Sequence, residues 1–66
     1  MMKFCFGFDL ENIKKVMDYV VENYNIDEYK MSVGYGDDVM NYLEIVDKND
    51  ERLMDLINEC DECEEE

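Results

Sequence analysis

The chain has no histidine, tryptophan, proline, alanine, threonine or glutamine, only one arginine and only one serine. The absence of histidine removes the side chain that enzymes most often use as a general base. The single serine, Ser32, falls in the middle of a predicted strand. Neither a G-x-S-x-G motif nor a phosphate-binding loop is present. We therefore expect no enzymatic activity.

Long apolar segments are also missing. No run approaches the roughly 18 apolar residues that a membrane-spanning helix requires, and the first eight residues lack the features of a signal peptide. A chain of 66 residues has room for one domain, which we place at residues 1–60, followed by an acidic tail at residues 61–66. These features predict a cytoplasmic protein with no membrane partner.

Two hydrophobic periodicities predict an α+β fold. Apolar residues alternate over residues 2–8 and 29–35, and residues 39–46 form a third apolar segment with no clean face, which together predict three strands. Apolar residues at helical spacing follow Asp9, which is a good helix N-cap, and again follow the segment Asp47-Lys48-Asn49-Asp50, which supplies a turn and a second N-cap. The predicted order is therefore β-α-β-β-α.

The simplest packing is a three-stranded antiparallel sheet in the order 1-3-2 with both helices on one face. The third strand suits the centre because it is apolar on both sides. This arrangement resembles a ferredoxin-like β-α-β-β-α-β unit that is truncated before its last strand. Since the tail has five acids in six residues, we expect it to form no strand, which leaves the edge of the first strand open to pairing.

What the chain has in excess is acid, and the acid is concentrated in one half. Nineteen Asp and Glu residues against six Lys and Arg give a net charge of −13. Residues 1–33 contribute −2 of this charge and residues 34–66 contribute −11. Such a field repels nucleic acid and anionic membranes and attracts basic protein surfaces. We therefore predict a basic protein partner and no direct contact with nucleic acid.

Part of this acid follows a helical pattern. Glu51, Asp55, Glu59 and Glu62 recur at i,i+4 and i,i+3 spacing, which predicts an acidic stripe about three turns long on the second helix. Like charges at this spacing destabilise an isolated helix by a few tenths of a kcal/mol per pair, so their retention suggests a use in binding. The predicted partner-binding residues are Asp37, Asp38, Glu44, Asp47, Glu51, Asp55, Glu59 and Glu62.

A small acidic domain with this stripe and the tail Glu64-Glu65-Glu66 resembles, as a class, the small acidic proteins with which phages and mobile elements inhibit host defence. Anti-CRISPR and anti-restriction proteins belong to this class, and many of them mimic DNA. The resemblance implies an inhibitor that occupies the basic DNA or RNA groove of a host protein, such as a CRISPR effector or a restriction nuclease. The AT-rich codons of the dominant residues favour a low-GC bacterium or its phage as the source.

Two other hypotheses stay open beside this one. The protein could be an interaction module or small subunit, including a homodimer, that assembles through its sheet edge or open sheet face. It could also be a small-ligand or metal-binding regulator, because Cys60 and Cys63 form a CxxC string. A zinc site usually needs four ligands, however, and the chain offers neither a second pair nor a histidine. We therefore expect no metal and no cofactor, with Cys60 packed in the core.

Overall fold

The computed structural model of the protein describes residues 1–7, 9–34, 41–60 and 63–65. These residues include two helices and four strands, and a 3₁₀ turn at Ile26–Glu28 precedes the second strand. In chain order the elements are β1 (Met2–Phe6), α1 (Leu10–Asn23), β2 (Tyr29–Ser32), β3 (Asn41–Ile45), α2 (Glu51–Asn58) and β4 (Glu64–Glu65). None of the described helices is long and apolar enough to cross a membrane.

The strands form one antiparallel sheet in the order β2-β3-β1-β4. This order confirms the α+β class and the central position of β3 between β1 and β2. The prediction of three strands is wrong, because Glu64 pairs with Cys5 and Glu65 pairs with Phe4. The element order is therefore the whole β-α-β-β-α-β series of the ferredoxin-like unit rather than a truncated one.

The acidic tail forms a strand, against the prediction, because such a short strand needs no side-chain packing. A two-residue strand needs only backbone pairing with β1, and both glutamate side chains are exposed, so they stay hydrated. Acidic residues are poor strand formers because they do not pack on a half-buried surface, and β4 offers no such surface. Since β4 covers β1, the predicted open edge at β1 is also wrong. The edges of the described sheet are β2 and β4.

Alternation along β1 and β3 decides which face of the sheet is buried. Phe4 on β1, and Leu43 and Ile45 on β3, are buried, whereas Tyr42 and Glu44 lie on the other face and are partly exposed. The segment that had no clean face in the sequence therefore forms a regularly alternating strand. Residues 8, 39 and 40, which the strand predictions also included, lie outside the described residues.

Both helices cover the same face of the sheet, as predicted, because their buried side chains and those of β1 and β3 form one cluster. The helical members are Ile13, Val16, Met17 and Val20 on α1, and Leu53, Leu56 and Ile57 on α2. Asn41 is the buried polar residue of the described chain. Its Oδ1 accepts the Gly34 N–H at 2.9 Å and its Nδ2 donates to the Gly7 carbonyl at 3.0 Å.

Candidate partner-binding surface

Acidic side chains from three parts of the chain meet around one surface depression, which we call the acidic groove. Its volume is about 570 Å³. The lining residues are Met2, Asp47, Asn49, Asp50, Glu51, Met54, Asp55 and Glu65. Five of these carry a carboxylate, none is Lys or Arg, and two methionines supply apolar surface. The groove therefore presents concentrated negative charge over an apolar floor.

A tight turn brings Asp47 beside the first turn of α2. The Asp47 carboxylate accepts the Asn49 N–H at 3.0 Å, and Asn49 has a φ of 54°, a left-handed conformation that asparagine tolerates better than most residues. Asp50 then caps α2, because its side chain accepts the Leu53 N–H at 3.1 Å. The turn residues of this segment thus place one acid outside the helix next to the acids of its first two turns.

Asp50 differs from the other acids of the groove because it is committed to internal hydrogen bonds. Its two carboxylate oxygens accept the Tyr19 hydroxyl at 2.9 and 2.8 Å, and its Oδ2 accepts the Tyr24 hydroxyl at 2.9 Å. Both tyrosines lie near the end of α1, so one carboxylate joins α1 to the start of α2. Asp50 is therefore a structural residue of the groove.

Within this cluster the pKa of the Asp50 carboxyl is lowered and the pKa values of the two tyrosine hydroxyls are raised. Burial opposes ionisation of Asp50, but the hydrogen bonds from Tyr19, Leu53 N–H and Tyr24 outweigh it and lower the Asp50 pKa. The hydrogen bond to Asp50 raises the pKa of Tyr19. Burial, followed by the hydrogen bond to Asp50, raises the pKa of Tyr24. The cluster is thus held as one carboxylate and two neutral phenols over a wide pH range.

The remaining groove acids, Asp47, Glu51, Asp55 and Glu65, are exposed. Within the described ranges, no lysine or arginine forms an ion pair with Asp47, Glu51, Asp55 or Glu65. The ion pairs join Lys3 to Glu44 at 3.8 Å, Lys14 to Asp18 at 3.2 Å, and Lys48 to Glu28. The Lys48 ammonium, which hydrogen-bonds to Glu28, lowers the Glu28 pKa. The described ion pairs within the protein therefore do not neutralise the negative charge of the groove.

The structure brings together three of the eight predicted binding residues. Asp47, Glu51 and Asp55 line the groove. Glu59 is exposed one turn farther along, just past the end of α2, and its carbonyl accepts the Asn12 side chain at 3.2 Å. Because α2 ends at Asn58, the described part of the acidic stripe covers about two turns rather than three.

The other four predicted residues do not join this group in the described structure. Glu44 lies on the sheet face opposite the helices and pairs with Lys3, so strand alternation separates it from the groove. Asp37, Asp38 and Glu62 lie outside the described residues. Glu65, which was considered only as part of the acidic tail, reaches the groove because the unexpected β4 pairs with β1.

The cysteines show how the CxxC string is used. Cys60 is buried in the core, as predicted, and its thiol lies 3.6 Å from the Leu56 carbonyl, to which it donates. Burial raises the pKa of the Cys63 thiol, and Cys5 and nearby glutamates add to the shift. All three cysteines are thiols. Over the described ranges, no three Cys, Asp or Glu side chains are grouped so as to hold a metal ion.

The open sheet face has a different character from the groove. Lys3 lies with its ammonium 5.4 Å from the centre of the Tyr42 ring and pairs with Glu44, so positive and negative charges alternate there. The acidic groove is consequently the surface with the more uniform charge. Its carboxylates are able to attract cations, including basic side chains.

No family model, curated protein or solved structure matches this chain.

Proposed function

We propose that this protein is a small acidic inhibitor that acts in the cytoplasm, without catalysis, by occupying the basic DNA- or RNA-binding groove of a host protein. The observation that carries the proposal is the acidic groove, in which five carboxylates and no basic residue surround one depression. A CRISPR effector or a restriction nuclease is the kind of partner this surface fits, because both hold nucleic acid on tracks of Lys and Arg.

The spacing of the acids supports this proposal. Glu51, Asp55 and Glu59 succeed one another by four residues, which is a rise of about 6 Å along a helix axis. Each strand of duplex DNA places a phosphate every 3.4 Å or so along its axis. One carboxylate on α2 therefore corresponds to about two phosphate steps, and a partner's basic track could pair with both kinds of surface.

The floor of the groove supports recognition of whole Lys and Arg side chains. Met2 and Met54 are partly exposed between the carboxylates. Lys and Arg place their aliphatic stems on apolar surfaces while their charged ends stay with polar partners, and methionine adapts its shape to different stems. A basic side chain of the partner would thus rest on methionine and pair with Glu51 or Asp55.

Binding would also relieve repulsion within the free protein. The exposed acids of the groove have no internal counterion in the described residues, so the free protein must hold solvent cations near them. Pairing with a basic track releases these cations, as it does when the track binds nucleic acid. The proposal therefore requires binding that weakens steeply as salt concentration rises.

Affinity capture from a low-GC bacterial lysate, with and without excess duplex DNA, tests the proposal. We expect the protein to recover a nucleic-acid-binding protein, DNA to displace it, and a tenfold rise in salt to lower its affinity by at least tenfold. A partner that ignores both DNA and salt would contradict the proposal. The acids would then serve as a hydrated surface that keeps the protein soluble.

A further inference from the structure

At the edge of the sheet farthest from β4, the hydrogen-bond ladder shows which backbone groups of β2 face away from β3. The Val46 N–H donates to the Glu28 carbonyl at 3.0 Å, and this pair continues the register in which Lys30 faces Glu44 and Ser32 faces Tyr42. Hydrogen-bonded pairs recur at every second residue of an antiparallel ladder. The N–H and C=O groups of Tyr29 and Met31 therefore point away from β3.

An apolar cavity of about 510 Å³ adjoins this edge. Its lining residues are Leu10, Lys14, Met17, Met31, Val33 and Gly34. Val33 is 49% exposed, and Val21, which continues the α1 line of Leu10, Lys14 and Met17, is 60% exposed. The edge thus combines backbone donors and acceptors with apolar side chains, which are the components of strand-addition sites.

We propose that β2 pairs antiparallel with β2 of a second copy, around a two-fold axis at Met31. In this register Met31 faces Met31 of the other copy, and Tyr29 faces Val33. The residues whose backbone groups point outward therefore face each other across the edge. Such an interface is isologous, because each copy contributes the same strand to both sides.

The distribution of charge on the protein favours a second copy as the strand that pairs with β2, and it also favours one register of that pairing. Described β2 carries Lys30 and no acid, whereas three groove acids lie on α2 and β4, toward the other end of the sheet, and the other two lie in the turn that precedes α2. Two copies joined at β2 keep their acidic grooves far apart. Pairing around Lys30 would place Lys30 against Lys30, which is unfavourable, whereas the axis at Met31 places Lys30 against Ser32.

The size of the interface predicts a weak dimer. A four-residue strand and one apolar cavity bury less than the roughly 800 Å² per partner of a standard interface. Each copy also carries a net charge of −13, so added salt should strengthen the dimer by screening repulsion between copies. Partner binding through the acidic groove has the opposite salt dependence. The two proposals can therefore fail independently.

A charge reversal at Ser32 tests the register. In sedimentation equilibrium of the full chain, we expect a monomer–dimer equilibrium that shifts toward dimer as salt rises. Ser32→Glu places a carboxylate against Lys30 of the other copy, twice per dimer, and should raise the association constant about fivefold. Ser32→Lys should lower it by about the same factor. Net charge alone predicts the reverse, since the lysine variant is the less acidic.

Amide hydrogen exchange supplies a second measurement on the unmodified protein. The Met31 N–H should become protected as protein concentration rises, whereas the Lys30 and Ser32 N–H groups, which bond to β3, should be protected at all concentrations. A protein that remains monomeric at millimolar concentration and high salt would overturn the proposal and leave this edge to an extended segment of another protein. A dimer that both Ser32 variants weaken, or neither affects, would also overturn the proposed register.

Discussion

The sheet has two halves, one with α1 and β2 and the other with α2 and β4. Each half packs a helix on the same core, but the two halves expose different charged residues. On one side α1 and β2 bury apolar residues against β3 and present Lys14 and Lys30 outward. On the other side α2 buries a similar set and presents Glu51, and the exposed strand β4 presents Glu65. A helix needs only one face for the core, so its outer face is free to vary. Packing therefore does not explain the acidic residues on α2, which is why we propose that they serve binding.

The two edge strands repeat this contrast. β4 is two residues long and entirely acidic, and short charged strands discourage further pairing. β2 is longer, contains no acid and lies beside an apolar cavity. The two edges therefore differ in charge and in length, which is consistent with our proposals of a basic partner at the acidic end and strand pairing at the other. The predictions below alter one side at a time.

The largest effect should come from Asp50, the groove acid that serves the fold. Asp50→Ala removes a helix cap, which contributes about 0.5–2 kcal/mol, and leaves the buried Tyr24 hydroxyl without its acceptor, which costs about 1–3 kcal/mol. We expect a loss of about 2–4 kcal/mol in unfolding free energy by urea denaturation. Asp50→Asn, which keeps a capping oxygen, should lose less.

The neighbouring Asp55 provides the contrast for that measurement. Its carboxylate is exposed and makes no ion pair within the described residues, so Asp55→Asn should change stability by less than about 0.5 kcal/mol. Equal losses for Asp50→Ala and Asp55→Asn would show that Asp50 does not join the two helices as described.

The same cluster predicts loss of stability at both extremes of pH. The Asp50 pKa is lower in the folded than in the unfolded protein, so its contribution is present above about pH 4 and is lost as pH falls through the folded pKa. The Tyr24 pKa is raised, so its contribution is present below about pH 10 and is lost as pH rises.

Urea midpoints measured from pH 2 to pH 11 check this dependence. Tyr24→Phe should lose less stability than the unmodified protein between pH 8 and pH 11, because the variant has no phenol to ionise at that position. An alkaline loss of the same size in both proteins would rule out Tyr24 as its source.

Neutralising the α2 acids should stabilise the protein slightly. The triple variant Glu51→Gln, Asp55→Asn, Glu59→Gln removes two i,i+4 repulsions, each of a few tenths of a kcal/mol. We expect a gain of about 0.5 kcal/mol at low salt that shrinks as salt rises. A control triple on the α1 side, Glu11→Gln, Glu22→Gln, Asp27→Asn, has the same net charge and should gain less. Equal gains would point to total charge rather than to the stripe.

The smallest effect should come from making β4 resemble β2. Glu64→Thr with Glu65→Thr replaces two poor strand formers by good ones, which should raise stability by a few tenths of a kcal/mol. It also removes charge from this edge, so we expect more self-association in sedimentation experiments. A variant that self-associates no more than the original protein would show that the two acids do not protect the β4 edge from strand pairing.

Most of the fold was predictable because it depends on local periodicity. Alternation located β1 and β2, a segment that is apolar on both sides located β3, and the helical stripes after Asp9 and Asp50 located both helices. The details of capping were less predictable: the Asp9 carboxylate accepts the Asn12 side chain at 2.7 Å and makes no backbone capping bond. The position of β4 could not be predicted, since its pairing with β1 depends on backbone groups alone.

The candidate site was predictable only in part, for similar reasons. Helical spacing correctly aligned Glu51 with Asp55, because that relation is local. Strand alternation already placed Glu44 on the face opposite Leu43, a signal that the predicted binding surface did not use. The contact of Tyr19 with Asp50 spans 31 residues, and Tyr19 lies off the apolar stripe of α1, so no local pattern indicated it.

The most direct test of the central claim compares the two triple variants for binding to the partner captured from lysate. Both lower the net negative charge by three, but only one changes the surface of α2. We predict that the Glu51, Asp55, Glu59 triple loses at least tenfold in affinity at low salt, while the Glu11, Glu22, Asp27 triple retains affinity within about threefold. Equal losses in the two variants would contradict the claim that the acidic groove is the binding surface.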